Sequence, residues 1–347
     1  MFYFKTNYIL FLKKRSFISV IFNNFAPCLN HNSMKEQLES LNSVTINFGE
    51  SGITIVNILL AFVMFGVALG IKLQTFKDVF KKPKSVVVGL ILQWVCLPLV
   101  TFLLALALNP LITPMIALGM ILVASCPGGN ISNFISSLSK GNIELSVSLT
   151  AISTAAAPII TPLNFFLWSN LYTSVIGLKS NIPYLEIPFL PVLEQILLLL
   201  DLPIVLGILF AHYFPNATKK ITKPAQVLSI LLFMGMIVVS FAQNFQIFID
   251  NIFFVFFIVL LHNAAALSIG YFGARLSKLT RKDVKTLTIE TGIQNSGLGL
   301  ILLFNTTIFP PEIWHGNYGG MLFITAWWGI WHIVSGLTMA YFFRRKA

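Results

Sequence analysis

The sequence is short of charge. Only 10% of its 347 residues are Asp, Glu, Lys or Arg, while 56% are hydrophobic. A soluble domain carries about 25% charged residues, and a chain this apolar has too little charge to cover a water-facing surface. The mean hydropathy of +0.83 agrees. A soluble globular protein is therefore excluded, and an all-α polytopic membrane protein is expected. Cysteine is also scarce. Cys28, Cys96 and Cys126 have no metal-ligand spacing, which excludes a disulfide framework and a zinc site. The five histidines are scattered along the chain. Enzyme signatures are missing too: there is no Gly-rich phosphate loop after a strand, no metal-ligand pair at i, i+4, and no nucleophile elbow. Acid is scarcer than base, with 12 Asp and Glu against 23 Lys and Arg, a net charge of +11. That balance does not signal a nucleic-acid partner, because the basic residues lie in short clusters between apolar segments.

What is present is a series of apolar segments. From Gly52 onward about nine of them approach the ~20 residues that a bilayer requires. They cover about 53–71, 85–108, 113–139, 143–171, 189–213, 224–243, 252–274, 286–307 and 318–343. Residues 51–347 thus form the transmembrane domain, and residues 1–50 an N-terminal extension. The stretch 2–22 is apolar but interrupted by Lys5, Lys13, Lys14 and Arg15, with no small-residue cleavage site after it. Translation from Met34 would leave out residues 1–33. The loops after odd-numbered segments hold 17 Lys or Arg, and those after even-numbered segments hold only Lys179. By the positive-inside rule the chain sits in the cell membrane with its N-terminus outside and its C-terminus in the cytoplasm. A start at Met34 removes four of the five basic residues that would otherwise lie outside.

Two segments are interrupted. The third breaks at 126–133, Cys126-Pro127-Gly128-Gly129-Asn130-Ile131-Ser132-Asn133. The eighth breaks at 290–297, Glu290-Thr291-Gly292-Ile293-Gln294-Asn295-Ser296-Gly297. Glycine and proline disfavour a continuous helix there. A helix broken at mid-membrane frees C=O groups on one half and N–H groups on the other, and such ends hold cations and anions. The two segments run in opposite directions, and each break carries glycines followed by a Ser/Asn pair. This is the pattern of inverted repeats with two crossing discontinuous helices.

Glu290 and Asp201 are the acidic residues lying well within apolar segments. A buried carboxylate is paired, protonated or bound to a cation, and the apolar stretches hold no Lys or Arg to pair with it. The fourth segment carries Ser146, Thr150, Ser153 and Thr154 close to one face. Small hydroxyls of this kind serve either helix packing or ion ligation. Gln93 is an isolated amide in an apolar run, and interhelical hydrogen bonding is its default role. His262, His332 and the tryptophans Trp327, Trp328 and Trp331 are expected to pack between helices. Asp201 has no assigned role.

Several stretches together resemble the bile acid:sodium symporter family, in the form of a bacterial member. They are Cys126-Pro127-Gly128-Gly129 with Ser132-Asn133, Lys140-Gly141-Asn142 with Leu145-Ser146, and Ser153-Thr154 with Pro158, Thr161 and Pro162. Leu261-His262-Asn263, the run Glu290–Gly297 and Trp331-His332 complete the set. The resemblance spans about 53–345. It implies a core domain of crossing broken helices and a panel domain that rocks against it, in a nine-helix form. It implies two Na⁺ sites. The first would use Ser132, Asn133, Ser146, Thr150 and Glu290. The second would use Gln93, Glu290, Gln294 and the backbone carbonyls near Thr291 and Ile293. The half-helix N-termini at Asn130, Asn295 and Ser296 would receive a carboxylate or sulfonate substrate. Asn130 stands where many members have Thr. The expected activity is Na⁺-coupled symport of an organic anion across the lipid bilayer, with no nucleic acid or obligate protein partner. The alternative is proton coupling through Glu290 and Asp201.

Overall fold

The computed structural model describes residues 35, 38–43, 58, 59, 61–66, 68–70, 83–180, 202–243, 245–304 and 318–345. Among the described residues the regular structure is helical, apart from one isolated bridge. From residue 83 onward the described residues form ten helices in order. They are α1 Pro83–Leu108, α2 Pro114–Ser125, α3 Ile131–Leu138, α4 Ile143–Ser180, α5 Leu202–Tyr213, α6 Pro215–Gln243, α7 Phe245–Leu276, α8 Arg281–Gly292, α9 Ser296–Phe304 and α10 Gly319–Arg345. Among the described residues, four helical stretches are long and apolar enough to cross a bilayer: Pro83–Leu108, Ile143–Gly177, Ile249–Leu276 and Gly319–Arg345. Helix α1 exposes Val87, Ile91, Val95, Leu99 and Leu103. Their four-residue spacing forms one apolar stripe, which suits lipid and not water. The first apolar segment, most of the fifth, Asp201 and His315 lie wholly or partly outside the described residues.

The two interrupted segments are broken helices. Helix α2 stops at Ser125, and α3 starts after Asn130. Helix α8 stops at Gly292, and α9 starts at Ser296. Helices α2, α3 and α8 are each too short to span ~30 Å alone. The starts are locally encoded. Thr113 caps α2, its Oγ1 accepting from Ile116 N–H at 3.4 Å, and Pro114 follows where no N–H is needed. Thr280 caps α8, accepting from Asp283 N–H at 3.2 Å.

Elsewhere helices outrun the apolar segments. Helix α4 continues to Ser180 through Pro158 and Pro162. Helix α6 starts at Pro215, and Pro224 lies inside it. Hydropathy measures how much chain suits lipid, whereas a helix continues until a cap or break stops it, and neighbouring groups satisfy the carbonyls that internal prolines free. Helix α1 shows this in detail. Pro98 has no N–H for the Trp94 carbonyl, the helix widens into a π segment over Leu92–Cys96, and Asn164 Nδ2 donates to that carbonyl at 3.0 Å.

The core is built from α2, α9 and α10, with α1, α4 and α7 around them. Trp328, Tyr172, Phe304 and Phe323 are its largest fully buried side chains. Helix α10 packs along α2 so closely that a Cβ on Gly119 would lie 2.7 Å from Met321 Cα. This packing holds the two broken helices against each other.

Candidate cation site at the helix crossing

The two breaks meet through their backbones. Gly128 and Gln294 form an antiparallel bridge. Gly129 N–H donates to the Ile293 carbonyl at 2.9 Å, and Asn295 N–H to the Pro127 carbonyl at 2.7 Å. The interrupted backbone of each segment is thus partly satisfied by the other. Gly128 leaves room at this contact, because a Cβ there would lie 3.0 Å from both Gln93 Nε2 and Glu290 Oε2.

Glu290 is fully buried one turn before the second break. Its Oε1 accepts from Ser132 Oγ at 2.5 Å, from Ser146 Oγ, and from Thr150 Oγ1 at 3.3 Å. Its Oε2 accepts from Thr150 Oγ1 at 3.3 Å and Gln93 Nε2 at 3.5 Å. These donors come from α3, α4 and the π segment of α1, so four helices converge on one carboxylate. None of these partners is basic. Asn133 joins at the edge, its Oδ1 accepting from Thr150 Oγ1 at 3.3 Å.

The carbonyls at the end of α8 are served by side-chain amides. Gln93 Nε2 donates to the Glu290 carbonyl at 3.1 Å. Gln294 Nε2 donates to the Thr291 carbonyl at 2.9 Å and the Glu290 carbonyl at 3.4 Å. Asn263 Nδ2 donates to the Gly292 carbonyl at 2.7 Å. The Ile293 carbonyl is taken by Gly129. The amide oxygens of Gln93 and Gln294 are buried without a partner, although unpaired buried acceptors are costly. A half-turn of Gln93 would aim its oxygen at the Glu290 carbonyl and carboxylate, and a half-turn of Gln294 would aim its oxygen at the carbonyls of Glu290 and Thr291. Only a cation between them makes that arrangement favourable. At about 4 Å and an effective dielectric of about 20, a unit charge gains about 4 kcal/mol from one carboxylate. Hydrogen bonds to the carboxylate contribute about 1.5–3 kcal/mol each but supply no countercharge.

The donors are hydroxyl, amide, carbonyl and carboxylate oxygens, which suit a hard cation. Among the described residues no group of three His, Cys, Asp or Glu is placed to hold a metal. The nine residues expected to ligate cations, Gln93, Ser132, Asn133, Ser146, Thr150, Glu290, Thr291, Ile293 and Gln294, lie together around the crossing. Ser153 turns its hydroxyl to its own backbone, donating to the Thr150 carbonyl at 3.2 Å. The expected anion residues are at the N-terminal ends of α3 and α9. Asn130 is exposed, Asn295 Oδ1 accepts from Leu298 N–H at 3.1 Å, and Ser296 is buried opposite Gly329. His262 packs on Trp328 and pairs with Thr101 Oγ1 at 2.8 Å, while its Nδ1 is buried without a partner.

Asn263 and Asp283 are buried polar residues to which the sequence alone gives no role. Asn263 was visible only within the Leu261-His262-Asn263 stretch and had no role assigned. Asp283 is 3% exposed, yet it reads as part of the charged run Arg281–Lys285.

The sequence model of the Sodium Bile acid symporter family matches residues 57–251. The chain is similar to YocS of Bacillus subtilis, described as an uncharacterized sodium-dependent transporter, with 32% identity over 281 residues, 78% of this chain and 82% of that protein. It is similar to the probable sodium/metabolite cotransporter BASS2, chloroplastic, of rice, with 30% identity over 251 residues, 70% of this chain but only 55% of that protein. It is also similar to the human ileal sodium/bile acid cotransporter, with 29% identity over 247 residues, 71% of this chain and 67% of that protein.

Proposed function

The chain belongs to the Sodium Bile acid symporter family, a family of transporters and not of enzymes, and from that premise we propose that it carries a small organic anion across the cell membrane together with Na⁺. The observation that carries this reading is Glu290: fully buried, held by hydroxyls and an amide, and without a basic partner among them. One Na⁺ would sit among Ser132, Asn133, Ser146, Thr150 and Glu290. A second would sit among Gln93, Glu290, Gln294 and the carbonyls of Thr291 and Ile293. The unpartnered oxygens of Gln93 and Gln294 support the second assignment.

Two cations against one carboxylate leave about one positive charge in a low-dielectric place. The N-terminal ends of α3 and α9 add positive dipole ends at the same crossing. A carboxylate or sulfonate would balance both, near Asn130, Asn295 and Ser296. Ion binding then prepares the anion site, and different affinities in two rocking states couple the fluxes. The basic residues Lys140, Arg275, Lys278, Arg281 and Lys282 would face the cytoplasm.

Uptake of candidate carboxylates and sulfonates into proteoliposomes tests the reading. An inward Na⁺ gradient should drive uptake, and Glu290→Ala should abolish it. Uptake that is indifferent to Na⁺ rejects the proposal, and uptake driven by a pH gradient alone makes the coupling ion a proton.

A further inference from the structure

Helix α8 carries a second buried carboxylate, which takes no part in the cation cage. Asp283 lies in the first turn of α8 and is 3% exposed. Its Oδ1 accepts from Asn142 Nδ2 at 2.6 Å, and its Oδ2 from Ser85 Oγ at 3.0 Å. Thr286, one turn on, grips the same asparagine by its backbone. Asn142 N–H donates to Thr286 Oγ1 at 2.7 Å, and Thr286 Oγ1 donates to the Asn142 carbonyl at 3.1 Å. Lys285, two residues on, is turned away, because its Nζ donates to the carbonyls of Ser139 and Phe343 at 3.1 and 2.9 Å.

Asn142 is also the residue that starts α4. Its Oδ1 accepts from Leu145 N–H at 3.2 Å, and its carbonyl from Ser146 N–H at 3.1 Å. Ser146 and Thr150, further along that helix, hold Glu290. Helices α4 and α8 therefore run side by side in the same direction, joined at two levels. At the lower level Asp283 and Thr286 hold Asn142. At the upper level, two turns or about 11 Å along α8, Glu290 holds Ser146 and Thr150. A slip of one residue would turn Ser146 by about 100° and raise it by about 1.5 Å, which removes its hydroxyl from Glu290. The lower level sets the register of the upper one.

We propose that Asp283 is a positioning residue for cation binding, holding α4 through Asn142 at the register that places Ser146 and Thr150 on Glu290. The proposal rests on the reading of Glu290 as a Na⁺ ligand. Equilibrium binding of radiolabelled Na⁺ to the purified full-length protein in detergent tests it. Asp283→Ala should raise the Na⁺ concentration at half-saturation about tenfold, as loss of a charge-assisted hydrogen bond does. The exchange Asp283→Asn with Asn142→Asp reverses donor and acceptor across the same gap and keeps a good cap on α4. It should restore affinity to within about twofold of wild type. A residue that only stabilised the fold would lower the number of binding sites and not the half-saturating concentration. Wild-type affinity in Asp283→Ala overturns the proposal, as does an exchange variant no better than Asp283→Asn alone. That second comparison decides the matter if Asp283→Ala does not fold. Absence of Na⁺ binding by the wild type itself would overturn the proposed function and this inference together, so the wild-type arm separates the two failures.

Discussion

The two breaks that meet at the centre of this protein are built differently. The first, between α2 and α3, carries no charge. It contributes Pro127 to end the helix, Gly128 and Gly129 to let other groups approach, and Ser132 from the helix that follows. The second, between α8 and α9, carries Glu290, Gln294 and the carbonyls that end α8. One break therefore supplies room and hydroxyls, and the other supplies charge. A carboxylate in lipid is costly, so placing it on one arm only means that the opposite arm must be shaped to fit it. Gly128 meets that need, since any Cβ there comes within 3.0 Å of Glu290 Oε2.

The largest expected effect is on the charged arm. Glu290→Gln removes the countercharge while keeping the shape, and Na⁺ affinity should fall by more than about 100-fold, in line with the loss of a buried charge partner. Radiolabelled Na⁺ binding checks it, and a change below tenfold would break the contrast between the arms. Next comes the fitted arm. Gly128→Ala forces side chains apart, at about 1–3 kcal/mol for overpacking, and should weaken Na⁺ binding about tenfold while lowering the Tm. A smaller and more telling effect concerns Gln93, whose amide oxygen has no partner. Gln93→Leu should leave the Tm without Na⁺ nearly unchanged, yet reduce the stabilisation that added Na⁺ produces by mass action. Thermal unfolding with and without Na⁺ reads both quantities. The smallest effect belongs to the start of the uncharged arm. Thr113→Ala loses a helix cap worth about 1 kcal/mol and should lower the Tm without moving Na⁺ affinity.

Both breaks and Glu290 were legible in the sequence because each violates its surroundings. Pro-Gly-Gly interrupts one apolar run, and a single carboxylate stands in another. Gln93 was not legible without the family resemblance. Its approach to Glu290 comes from a π segment next to Pro98, and an amide in an apolar run looks the same whether it packs or ligates. Asp283 was hidden for the opposite reason. Its neighbours Arg281, Lys282 and Lys285 make it resemble a solvated turn, while its partners Asn142 and Ser85 are distant in sequence. Segment limits for α4 and α6 were misplaced because hydropathy stops at lipid and helices do not.

By itself the sequence determined that this chain lives in a membrane, that two of its helices are interrupted, and that one acid is buried without a basic partner. Those are local matters of hydropathy and backbone preference. Local pattern does not give the oxygens around that acid; the family resemblance implied them, and the tertiary structure brings Ser132, Ser146, Thr150 and Gln93 to it as α1, α3, α4 and α8 converge. Contacts between residues far apart in the chain have no signature in local pattern, and packing alone brings them together.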